Sequence, residues 1–211
     1  MDQVLNISLL SIFIPTFILV SATPGMCMTL SLTLGMTIGV KRTLWMMSGE
    51  LVGVALVSVA AVIGVASVML NYPQLYLVLK YCGGAYLCYL GIQLLRSRGK
   101  MAIQEDDESD ASHLGRTELA MQGFVTAIAN PKGWAFMVSL LPPFIDTSLP
   151  LPAQLSLLVL LILFIEFCCL LLYAGGGVTM RRFLQQSGNV RKMNGIAGLL
   201  MIFVGLWLAT G

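Results

Sequence analysis

The sequence predicts an all-α membrane protein: six transmembrane helices, arranged as two inverted three-helix repeats with broken helices 1 and 4. Three observations predict it. The 211 residues are 57% hydrophobic and 10% charged, with a mean hydropathy of +0.88, whereas soluble domains carry about 25% charge. Ten of the twelve Lys and Arg residues fall in alternate connections between the apolar runs. Two prolines stand inside membrane-length apolar stretches in matching settings, Ala22-Thr23-Pro24-Gly25 and Ala129-Asn130-Pro131-Lys132. Superposing these settings also aligns Phe17 with Phe124.

The chain opens Met1-Asp2-Gln3 without the basic segment of a cleavable signal, so the first apolar run is expected to remain as a span. A span needs about 20 apolar residues, and six such runs are read: 4–38, 44–70, 76–95, 119–141, 151–178 and 193–210. The first is too long for one straight helix, and Pro24-Gly25 divides it. A proline frees a backbone carbonyl and removes a donor. In hydrocarbon such a break survives only where protein or water surrounds it. Residues 1–95 form the first repeat, 96–118 an acidic cytoplasmic linker, and 119–211 the second repeat. The linker carries the run Glu105-Asp106-Asp107-Glu108-Ser109-Asp110, the pattern of a solvated connection. His113 lies in it and is assigned no chemistry.

Basic residues set the orientation. Lys41, Arg42, Arg96, Arg98, Lys100, Arg116, Arg181, Arg182, Arg191 and Lys192 share one side if there are six spans. The opposite connections and both termini carry no Lys or Arg. The positive-inside rule puts the ten in the cytoplasm and both termini outside. Three spans per half is an odd number, so the second half must be inverted, and paired interrupted helices in two such halves point to a transporter's central site.

Ionisable groups at membrane depth carry the chemistry. Lys132 lies midway between Glu118 and Asp146, and Glu166 midway between Leu151 and Arg181. Glu50 is roughly 12 Å along a helix axis from Arg42. Each costs about 2.5–3.5 kcal/mol to insert on translocon scales, so Glu50 and Glu166 are read as the ion-coupling pair, each protonated or paired when no cargo is bound. An internal Lys132–Glu166 ion pair that only locks helices is the structural alternative. Lys80, near the outer face, either snorkels or serves the site.

The half-helices add polar backbone. The amides of Gly25, Met26 and Cys27, and of Gly133 and Trp134, open new helices and attract anions. The carbonyls of Ser21, Ala22 and Ala129 end the preceding halves and suit a cation, so a zwitterion finds one of each. Gly35/Gly39, Gly49/Gly53, Gly83/Gly84 with Gly91, and Gly195/Gly198 have the spacing of close helix packing. Gly175-Gly176-Gly177 ends or loosens the fifth span. Trp45, Tyr72, Tyr76 and Trp207 stand where interfacial anchors do. Cys27, Cys82, Cys88, Cys168 and Cys169 have neither zinc spacing nor a disulfide framework and read as buried apolar thiols.

Several of these residues occur in a familiar order. Pro24-Gly25, Gly35 with Gly39, Gly83-Gly84-Ala85-Tyr86-Leu87 with Leu90-Gly91, Gly123-Phe124, Asn130-Pro131-Lys132, Phe136 and Pro142-Pro143-Phe144 resemble the LysE/RhtB family of amino-acid exporters over nearly the whole chain. One departure is Met26, where that family commonly has a second proline. The resemblance implies secondary active export of amino acids or close derivatives across a bacterial inner membrane, driven by the proton gradient, with alternating access around a midplane site. The positions that match the family are Pro24, Gly25, Asn130, Pro131 and Lys132, where substrate contacts are then expected; Met26 and Trp134 are added to them from the half-helix amides. Glu50 and Glu166 join them from depth alone. No enzyme activity, cofactor, resident metal or nucleic-acid partner is expected. The partners are the small-molecule cargo and membrane lipid, and a homodimer is permitted. Two other functions compete. A divalent-metal exporter of the same fold could use Glu50 and Glu166, though no His or clustered thiolates support it. A membrane thiol redox protein could use Cys27, but the matched second position is Trp134, and exchange needs a pair.

Overall fold

A computed structural model describes residues 7–96, 114–141, 144–145 and 149–210. The acidic run, His113 and the Pro142-Pro143 pair lie outside the described residues. Those described are helical almost throughout: α1 (Ile7–Ala22), α2 (Met26–Thr37), α3 (Val40–Asn71), α4 (Pro73–Arg96), α5 (Arg116–Ala129), α6 (Pro131–Leu140), α7 (Leu151–Gln185) and α8 (Ser187–Thr210).

The breaks fall where the prolines are. α1 stops at Ala22, Gly25 is extended at φ −149°, and α2 leaves at 56° to α1. Pro15 lies inside α1 without ending it. In that turn the Thr16 hydroxyl donates to Ile12 O at 2.7 Å, the kind of side-chain bond that lets membrane helices carry proline. The second break, at Asn130, has a cap as well: the Asn130 side-chain oxygen accepts from the Lys132 amide at 3.1 Å, with Pro131 in the first helical turn. Gly39 makes the tight α2–α3 turn at φ +77°, a conformation suited to glycine. Gly177, with φ 45° and ψ −132°, kinks α7 inside the expected glycine triplet.

Small residues set the packing. Gly49 lies against Ala120, Gly53 against Phe124 and Ala127, and Gly123 against Met46, so α3 and α5 run side by side in the same direction. Gly35 lies against Ala174, and Ser31 donates to Leu170 O at 2.9 Å, so α2 and α7 also run parallel. Gly91 against Gly198 and Gly205 against Gly84 make α4 and α8 antiparallel. Gly195 has open space around it, unlike its partner in sequence spacing, Gly198. Arg42 donates to Leu114 O at 2.8 Å, and Arg116 stacks 5.3 Å over Trp45, so α3 and α5 start at the same end. α2 finishes at that end through the Gly39 turn. The first broken helix therefore runs toward the Arg42–Arg116 end and the second runs away from it. An aromatic cluster ties α1 to α8: Phe13 stacks on Phe17 at 5.6 Å, Phe144 meets Phe13 edge-on at 5.0 Å, and Trp207 lies 6.0 Å from Phe144.

The side-chain distribution is that of a chain in lipid. Val52, Leu56, Ile63, Leu160, Phe164, Leu199 and Phe203 face outward, while Glu50, Ser58, Gln154 and Asn194 are buried. Among the described residues, 40–64, 151–177 and 188–207 are helices long and apolar enough to cross a membrane, and the bent α1–α2 pair makes a fourth. The six runs of the sequence thus appear as helices, but α4 and the α5–α6 pair fall short of that measure. α4 spends positions on Gln74, Lys80, four tyrosines and Gln93, and α5–α6 divides 14 and 10 residues between two pieces.

Candidate functional site

Breaking a helix strands the carbonyls of its last turn. Pro24 has no N–H, so Val20 O, four residues earlier, keeps only a 3.2 Å bond from the Thr23 amide. Lys132 Nζ completes it, donating at 3.2 Å to Val20 O and at 3.2 Å to Thr23 O. Tyr173 OH, from α7, donates to Ala22 O at 2.7 Å. Three orphans of the first break, Val20 O, Ala22 O and Thr23 O, are therefore met by side chains of α6 and α7, which places both helices against it.

The second break meets the first. Asn130, besides capping α6, directs its side-chain amide at Cys27 Sγ, 3.7 Å away. Between the breaks lies a cavity of about 60 Å³, measured as space open to water centres. A water needs about 10–15 Å³ on that measure, so the cavity has room for a few waters or for part of a small solute. Its polar wall is Ser21, Thr23, Gly25, Asn130, Lys132, Glu50 and Glu166; its apolar wall includes Phe17, Val57, Phe136 and Met137.

Three ionisable groups face this space. Glu50 on α3 is 0% exposed, and neither carboxyl oxygen has a hydrogen-bond partner. Cys27 and Glu166 are the polar groups acting on it. Glu166 on α7 is partly buried and interacts with Ser21, Lys132 and Glu50. Lys132 lies 5.8 Å from the Phe136 ring centroid. Together they form a short polar column, Glu50–Glu166–Lys132, crossing from α3 through α7 to α6.

Of the residues picked from sequence, Gly25, Glu50, Asn130, Lys132 and Glu166 line the cavity. Pro24 and Pro131 act through the backbone they interrupt and do not line it. Met26 is 52% exposed, and Trp134, 37% exposed, donates its indole N–H to Ile128 O at 2.9 Å; both face away. Sequence reasoning named the Ser21, Ala22 and Ala129 carbonyls, whereas Val20 and Thr23 hold the ammonium. The proline rule carried a signal for Val20, since the carbonyl four residues before a proline loses its donor. Tyr173 had no such signal, because its bond to Ala22 joins helices far apart in the chain.

The LysE type translocator family model matches residues 18–211. A leucine efflux protein of Klebsiella pneumoniae is 29% identical over 89% of this chain and 88% of its own length. A homoserine/homoserine lactone efflux protein of Salmonella typhimurium is 24% identical over 94% of each chain. An uncharacterized membrane protein of Vibrio cholerae is 26% identical over 94% of this chain and 95% of its own. No solved structure matches.

Proposed function

Because this chain belongs to the LysE type translocator family, we propose that it is a secondary active exporter of amino acids or close derivatives, coupled to inward proton flow across a bacterial inner membrane. The observation that carries this reading is the meeting of two helix breaks at a cavity lined by Glu50, Glu166 and Lys132. Discontinuous helices at a central site are a recurrent transporter design, with backbone and charge at one level.

Each group then has a task. Lys132 uses two N–H donors on Val20 O and Thr23 O, and the third is free for the cargo carboxylate. Glu166, beside Lys132, receives the cargo ammonium. Glu50 holds the transported proton: with no partner for either oxygen, a charge there is tolerable only while a cation stands beside it. Phe17, Val57, Phe136 and Met137 give the cargo side chain an apolar surface.

The reading extends to topology. Six spans form two inverted repeats, with both termini outside and the 96–118 linker inside. Opposite running of the two broken helices supports this, as does the exchange of partners in packing, α2 against α7 and α6 against α3. Alternating access follows from rocking one repeat against the other around the cavity. The relatives' names suggest leucine and homoserine as first cargoes to try. Cells carrying the gene, loaded with leucine- or homoserine-containing dipeptides, should release the free amino acid several-fold faster than cells without it. Equal release across a panel of all amino acids would remove the reading.

A further inference from the structure

The first helix break contains a cation that the chain itself supplies. Four carbonyls, from Val20 to Thr23, lose regular helical donors there. Two of them converge on one nitrogen, Lys132 Nζ, each at 3.2 Å. The Phe136 ring lies 5.8 Å from the same nitrogen, and the Glu166 carboxyl acts on it. Carbonyl oxygens, a carboxylate and an aromatic face are the surroundings of a desolvated monovalent cation. The wall beyond holds Glu50, fully buried, with both oxygens unpartnered.

The geometry points to a latent monovalent-cation site at the Pro24 break, built for a primary ammonium and filled by the tethered ammonium of Lys132 instead of a free ion. A separation of 3.2 Å suits N–H···O bonding; hard metal ions such as Mg²⁺ and Ca²⁺ bind oxygen at about 2.0–2.6 Å. The two carbonyls ask for two N–H donors on one compact cation, which ammonium and primary alkylammonium ions provide and a quaternary ammonium does not. The chain thus needs no inorganic cation to hold its broken helix open. Gly25 adjoins the arrangement: a Cβ there would stand 3.5 Å from Nζ, an ordinary van der Waals contact.

Lys132→Ala removes the tethered ion and leaves its site. The purified variant in detergent should unfold at a lower temperature than the wild type. Methylammonium chloride should raise that temperature saturably, while tetramethylammonium chloride and sodium chloride at equal concentration should not. The wild type, its site already filled, should respond to none of them. If Lys132→Ala is not recovered folded, Lys132→Met, which keeps a stem beside Phe136 without the charge, is read in the same way. Overturning results are no response to methylammonium, or an equal response to tetramethylammonium. No cargo enters the assay, so its failure leaves the export reading standing, and failed export leaves the cation site standing.

Discussion

At the scale of the residue, the site is a matter of which orphaned group finds which partner. Tyr173 is 3% exposed, and its hydroxyl serves Ala22 O at 2.7 Å. Tyr173→Phe keeps the ring and strands a buried carbonyl, a loss of about 1–3 kcal/mol. We predict lower-temperature unfolding in detergent with the fold retained; unchanged unfolding would mean that another donor replaces the hydroxyl. Sequence made the charged residues legible, because Glu50, Lys132 and Glu166 are conspicuous in apolar runs. Met26 and Trp134 adjoin the breaks in sequence, yet their side chains turn outward, so what they can offer the site is backbone. The reason is the angular step of about 100° per residue in a helix: next to a site along the chain is not next to it in space.

At the scale of the element, a proline breaks a helix only when its surroundings let it. Pro15 and Pro24 occupy one apolar run, yet α1 passes through the first and stops at the second. At Pro24 the following glycine adopts an extended conformation, and lysine and tyrosine side chains replace the lost donors. Pro24→Ala returns an amide to Val20 O and sets it in competition with Lys132. Export should therefore fall by more than the membrane level of the protein does, while Pro15→Ala should alter both little. Parallel export-to-level ratios for the two variants would contradict the account. Glycine spacing was legible as packing in part: Gly35, Gly49, Gly53, Gly91 and Gly198 do lie against neighbouring backbone, while Gly39 and Gly195 have open space. Which helix each would meet was not legible, since spacing marks a small face and not its partner.

At the scale of the whole molecule, charge placement predicts topology. Arg42 and Arg116 lie together, and the two broken helices run in opposite directions relative to them. Reporter fusions after Gly211 and within residues 105–110 should report opposite sides of the membrane; same-side signals would remove the inverted repeat. The all-helical class was legible from apolar runs; of the six spans expected, three single helices and the bent α1–α2 pair are long and apolar enough among the described residues, in part because α5 and α6 divide one run between two short pieces. The central claim is that protons and cargo exchange through the Glu50–Glu166–Lys132 column. Its most direct measurement is uptake of labelled cargo into acid-loaded proteoliposomes, with the wild type beside Glu50→Gln and Glu166→Gln. Proton exit from wild-type vesicles should drive cargo inward against its gradient. Glu50→Gln should lose that accumulation and still exchange labelled for unlabelled cargo, while Glu166→Gln should bind cargo more weakly in both assays. Wild-type accumulation in both variants would contradict the account, leaving the carboxyls as structure and the site to the backbone of the two breaks.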